Sequence, residues 1–343
     1  MGKPIFDRRG FQTLIYAVLA MIPISLCAVP LLNDWRIGLV MFLLFCISFI
    51  TLEAVTARPD NNPSSFIRWK RTQDRVRPVL LCLGDSLMHG NGSASITPEI
   101  PLKLTNRIGL EPATYGKTFA DPLWVVNAGQ NHLTSHAVLT ERLSHSISSV
   151  QPDYICIMVG SNDVRAMYNG SWSSRIVNMN QLPHKPSMQV LETNMTKMLE
   201  FIQEASPMAQ VGVCTLPPMG EDLKSRSNAL VKEANAVIER VVSASTSDRV
   251  AVIPVFDPLE SILEKEKRGW TPPVDMFMPI AMLQNVVFHL TPLKSWNTLS
   301  KPFGFHVLSD ALHLNERGRD VVVDSIVEWL VEKNITKTIA VKR

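Results

Sequence analysis

The chain has 343 residues, a formal net charge of +3 and 46% hydrophobic residues. That length allows one sizeable domain with accessories, and near-neutral charge without a basic, aromatic-interleaved stripe excludes a dedicated nucleic-acid binder. The five cysteines (Cys27, Cys46, Cys82, Cys156 and Cys214) form no CxxC, so buried free thiols in a reducing compartment are expected, with no metal site and no cofactor.

Two apolar stretches come first. Phe11 to Leu32 is uncharged, and as a helix its length is roughly 33 Å, about the hydrocarbon thickness of a bilayer. A second run covers 37–56 and admits only Glu53 near its end. Between them "NDWR" places Trp35 and Arg36 where a membrane–water boundary favours them. Residues 1–56 therefore read as a membrane anchor, a transmembrane hairpin of helices 11–32 and 37–56. The alternative is a cleaved signal peptide, with Lys3, Arg8 and Arg9 as its basic start and Cys27-Ala28 near the cut. The first run is long for that role. Basic residues flank both outer ends: Lys3, Arg8 and Arg9 before, and Arg58, Arg68, Lys70, Arg71, Arg75 and Arg77 after. The positive-inside rule then puts the remainder of the chain in the cytoplasm. The glycosylation triplets beginning at Asn91, Asn169, Asn194 and Asn334 are frequent enough by chance to carry little weight.

Residues 57–78 form a basic, proline-containing linker suited to an anionic membrane surface. Strands and helices then alternate through 79–333, and 334–343 is a tail. Expected strands are Val79–Leu83, Trp124–Asn127, Tyr154–Val159, Val211–Thr215 and Val250–Val255, short apolar runs suited to burial on both faces. Helical spacing appears in 135–147, in 187–202 (Leu191, Met195, Met198, Leu199, Ile202), in 228–242 and in 317–331. The order predicts an α/β fold: a doubly wound parallel sheet of about five strands between helical layers. Such sheets bind ligands beyond the carboxyl ends of their strands.

The residues at those ends are chemically coherent. Gly84-Asp85-Ser86 follows the first strand, Asn127-Ala128-Gly129 the second and Gly160-Ser161-Asn162-Asp163 the third, and Asp310-Ala311-Leu312-His313 precedes the last helix. A serine hydroxyl is a weak nucleophile until a base takes its proton. A histidine does so near neutral pH, and an aspartate orients it. Ser86, His313 and Asp310 are the candidates. The developing oxyanion needs fixed donors, for which the Ser86 and Gly129 N–H groups and the Asn162 amide are available. Asp85 and Asp163 read as structural carboxylates.

These blocks carry a resemblance. "GDSL" (84–87), "NAGQNHLTS" (127–135), "GSND" (160–163) and "DALH" (310–313) resemble, in order, the four blocks of the SGNH/GDSL hydrolase family, over roughly Val79 to Glu332. "LPPMGEDL" (216–223) also resembles a stretch found in some members. The resemblance implies a three-layer α/β/α fold, Ser86 as nucleophile, His313 as base supported by Asp310, and an oxyanion hole from Ser86, Gly129 and Asn162. One departure is His132, where many members carry a second glycine. The G-x-S-x-G elbow of the other large serine hydrolase class is absent around Ser86, which reads GDSLM.

The expectation is a membrane-anchored carboxylic ester hydrolase acting through an acyl-enzyme, with the lipid bilayer as partner and acyl lipids or lysophospholipid-like esters as substrates. The runner-up is an O-acetyl esterase acting on carbohydrates or small molecules. A non-catalytic membrane adaptor on the same fold is the third reading. The methionine-rich stretch 271–290 (Met276, Phe277, Met278, Ile280, Met282 and Leu283) suits an acyl pocket, a bilayer contact or plain core equally.

Overall fold

The apolar runs at Val79–Gly84 and Tyr154–Met158 become strands buried on both faces, whereas Val250–Ile253 is only partly buried. The computed structural model describes residues 78–90, 124–266, 271–276, 280–281, 284 and 295–333. The expected hairpin, nearly all of the linker and the tail lie outside these residues, as do Phe277, Met278, Met282 and Leu283. Among the described residues no helix is long and apolar enough to cross a membrane.

Five strands, β1 (Val79–Gly84), β2 (Trp124–Gly129), β3 (Tyr154–Met158), β4 (Gln210–Cys214) and β5 (Val250–Ile253), form one parallel sheet in the order β2-β1-β3-β4-β5. Every residue of β1 and β3 is buried, which accounts for their lack of apolar–polar alternation. The register pairs Gly84 with Gly129 and with Met158, so β1, β2 and β3 end level. The strand order reverses between β1 and β3, and a crevice opens at such a switch point.

The helices are α1 (Ser86–His89), α2 (Ser135–Ala137), α3 (Leu143–Val150), α4 (Ser161–Tyr168), α5 (Gly170–Met179), α6 (Met188–Ala205), α7 (Arg226–Ala244), α8 (Phe256–Lys265), α9 (Trp296–Ser300) and α10 (Glu316–Glu332). The five apolar positions expected on α6 are all buried. Side-chain caps fix where helices start: Ser187 accepts from Val190 N–H, Ser225 from Asn228 N–H and Asn315 from Gly318 N–H. The expected continuous helix over 135–147 is instead α2 and α3 joined by a π-helical turn, Val138–Arg142. Helices flank the sheet: α6 packs on α3 and α7, and α8 on α10. Gly212 in β4 leaves room for Trp329 of α10, which also meets Tyr154 edge-on at 6.2 Å.

Candidate active site

The backbone between β1 and α1 is held by two close approaches. A Cβ at Gly84 would overlap the Met158 carbonyl oxygen, and one at Gly129 would overlap the His89 backbone nitrogen. Both glycines are thus fixed by packing at the sheet edge. Asp85 caps α1, its Oδ1 accepting from Leu87 N–H at 3.0 Å, and Gly90 ends the helix at φ 95°. This presents Ser86 in the first turn of α1, at the end of a buried strand.

His313 reaches that serine from the far end of the sequence. Its Nε2 lies 3.0 Å from Ser86 Oγ, and its Nδ1 lies 2.7 Å from Asp310 Oδ2. The other Asp310 oxygen accepts from Leu312 N–H at 3.0 Å and His313 N–H at 2.7 Å. One aspartate therefore orients the imidazole and shapes the turn that carries it. All three side chains are buried. The turn is tightened by Ser309 N–H donating to the His313 carbonyl at 2.7 Å, and Ala311 takes φ 74°, a conformation that L-residues adopt only when held. Behind it Gly318 lets α10 approach: a Cβ there would overlap the Val307 carbonyl oxygen.

The three expected oxyanion donors are differently engaged. Asn162, on α4 beyond β3, gives one amide hydrogen to the Leu133 carbonyl at 3.0 Å, which leaves the second to aim elsewhere. Gly129 N–H already donates to Asn127 Oδ1 at 3.0 Å, and Asn127 Nδ2 donates to the His89 carbonyl at 3.3 Å. Gly129 serves an oxyanion only by sharing or exchanging that bond. Ser86 N–H is an amide of the first turn of α1, which helix geometry leaves without an intrahelical acceptor.

Neighbouring carboxylates hold the frame. Asp163 accepts Ser135 N–H at 2.9 Å and Ser135 Oγ–H at 2.7 Å, tying α4 to α2, and burial pushes its carboxyl up to about 6. Burial likewise pushes Asp85 up to about 7, against the opposing pull of Leu87 N–H and His313. His89 is fully buried and its Nδ1 donates to the Gly129 carbonyl at 3.3 Å, so it joins α1 to β2. His132 has φ 64°, which is why glycine suits that position; its ring lies 6.0 Å from Trp172.

Sequence reasoning missed Arg165 and Glu221. Arg165 sits one turn after Asn162 on α4, its guanidinium carbon 3.5 Å from the Trp172 ring centre. Burial lowers it to about 9, and Asp310 pulls it back up. Helical spacing from Asn162 was the available signal. Glu221 lies in the "LPPMGEDL" stretch, and its partners are distant in sequence. In 271–290, Ile280 is buried and Met276 is 42% exposed. A cavity of about 520 Å³ is lined by Tyr168, Glu221, Pro273, Val274 and His306, and neither Ser86 nor His313 lines it.

Residues 82–321 match the family model for the GDSL-like Lipase/Acylhydrolase family. No curated protein sequence matches the chain. Among solved structures, a catalytic mutant of an acetylxylan esterase from Geobacillus stearothermophilus aligns with a TM-score of 0.50 at 13% identity, over 73% of this chain and 93% of that one. An alpha/beta hydrolase enzyme from the metagenome of Lake Arreo, Spain, aligns at 0.48 and 13% identity, over 73% and 94%. At such identity the acetylxylan esterase speaks for the fold alone.

Proposed function

Because this chain belongs to the GDSL-like lipase/acylhydrolase family and is an ester-bond hydrolase, we propose that Ser86, His313 and Asp310 carry its chemistry. Ser86 Oγ attacks the ester carbonyl while His313 Nε2 takes its proton. Asp310 holds the imidazole and balances its positive charge. The tetrahedral oxyanion is held by Asn162, Ser86 N–H and, after release from Asn127, Gly129 N–H. Collapse of that intermediate breaks the ester C–O bond, and His313 gives its proton to the leaving alcohol. Water, deprotonated by His313, then cleaves the acyl-enzyme to acid and free Ser86. The observation that carries this reading is the unbroken Ser86–His313–Asp310 chain at 3.0 and 2.7 Å.

The substrate we favour is an amphiphilic acyl ester of the lysophospholipid kind, hydrolysed by a domain tethered to the cytoplasmic face of a membrane. Its support is the pair of apolar stretches at 11–32 and 37–56 and the basic residues beyond them. The second reading is O-acetyl ester hydrolysis, the activity named for an acetylxylan esterase that shares the fold. Hydrolysis of p-nitrophenyl esters of two to sixteen carbons separates the two. The first reading expects kcat/KM to rise with chain length, and the second a maximum at acetate. Ser86→Ala is expected to lose activity by about 10⁴-fold or more on every ester. Near-normal turnover by that variant would remove Ser86 from the mechanism, and a folded but inactive wild type would favour the adaptor.

A further inference from the structure

We propose that Glu221 is a positioning residue for the Asp310–His313 turn, a buried anion around which the segment before that turn is wrapped. The proposal rests on the Ser86–His313–Asp310 reading above. Glu221 is 3% exposed. Its Oε1 accepts from His306 N–H at 2.9 Å, Val307 N–H at 2.7 Å and Leu308 N–H at 2.8 Å, and its Oε2 also accepts from His306 N–H at 2.8 Å. Three successive amides converging on one carboxylate form an anion-binding concavity. Here the anion comes from a loop 85 residues earlier in the chain. The next residue back adds a direct tie: Gly220 N–H donates to the Ala311 carbonyl at 2.8 Å, inside the turn itself. Ala311 is the residue held at φ 74°.

The clamp is anchored at its other end. Asn228, in the first turn of α7, accepts from Met219 N–H at 2.9 Å and donates to the carbonyls of Gly220 at 2.9 Å and Asp222 at 2.8 Å. Ser227 Oγ donates to the Met219 carbonyl at 2.7 Å. A rigid helix start thus fixes the 219–222 loop. That loop fixes 306–308 and Ala311, and these fix where Asp310 and His313 stand relative to Ser86. A buried carboxylate is a costly way to tie a loop, because burying its charge opposes folding. Consistent with that cost, burial pushes the Glu221 carboxyl above its ordinary value, while the Val307, Leu308 and His306 amides and the His306 side chain pull it back. An apolar plug would fill the space but leave three amides unsatisfied.

Glu221→Ala removes the anion. Glu221→Gln keeps one acceptor oxygen but turns the other into a donor facing His306 N–H. Steady-state hydrolysis of a p-nitrophenyl ester should show kcat falling about 10-fold in Glu221→Gln and about 100-fold in Glu221→Ala, with KM changed less than about threefold, as expected when catalytic groups are misplaced by about 1 Å. Fluorophosphonate modification of Ser86 should slow in the same order. Near-ultraviolet circular dichroism checks the fold, and if Glu221→Ala does not fold, Glu221→Gln decides alone. Wild-type kcat in a folded variant, or a change confined to KM, would overturn the positioning role. If instead Ser86→Ala keeps its activity, the reading of the site has failed and not this proposal alone.

Discussion

Asp85 stands beside Ser86 with no exposure to solvent, and it caps α1 through Leu87 N–H. Burial raises its carboxyl from 3.8 to about 7. The sign follows: the folded state prefers the protonated acid, so this group's contribution to stability is full below about pH 4 and is lost as pH rises through about 7. The loss is at most about 4 kcal/mol, three units at 1.36 kcal/mol each. Asp85→Asn keeps the cap and cannot ionise. Thermal melts of both proteins at pH 5 and pH 8 should show the variant gaining on the wild type at the higher pH. Parallel shifts across the two pH values would mean Asp85 ionises without cost. Ser86, Asn162, Asp310 and His313 were legible because each lies in a short contiguous block. Glu221 was not, because a carboxylate's value depends on which amides meet it, and those lie 85 residues away.

Among the elements, β1 to β5 were legible within a residue or two because each is a short, nearly continuous apolar run, most completely in β1 and β3, which are buried throughout. Helices α6, α7 and α10 carry clear apolar faces. Helix α4 was not legible, since it buries Ser161, Asn162, Asp163 and Arg165 in place of an apolar stripe. Polar residues buried at a strand's carboxyl end spoil the periodicity where function is placed. Gly129 is a contact residue whatever its part in the chemistry: its missing Cβ is the space that the backbone of α1 occupies. Gly129→Ala should push α1 away and carry Ser86 with it. A stability loss of about 1–3 kcal/mol, as for other overpacked sites, should appear in urea unfolding together with a fall in kcat. Unchanged kcat would show that α1 tolerates the displacement.

At the scale of the whole molecule, three distant parts of the chain meet at one sheet edge: residues 84–86 after β1, 160–162 after β3, and 310–313 before α10. They meet where the strand order switches between β1 and β3, the position at which open parallel sheets bind ligands. Under the proposed anchoring, the apolar stretches at 11–32 and 37–56 confine this hydrolase to a membrane surface, and so to esters held there, which makes a prediction about orientation. Protease added to sealed, correctly oriented vesicles should digest the hydrolase domain if it faces the cytoplasm; its protection would reverse that orientation. The central claim is that Ser86 is a nucleophile activated by His313. The direct measurement is mass spectrometry of the folded protein after exposure to a fluorophosphonate. A single adduct on the peptide containing Ser86 is expected, absent in Ser86→Ala and formed about 10³-fold or more slowly in His313→Ala. A folded wild-type protein left unmodified, or an adduct that persists in Ser86→Ala, would contradict the account.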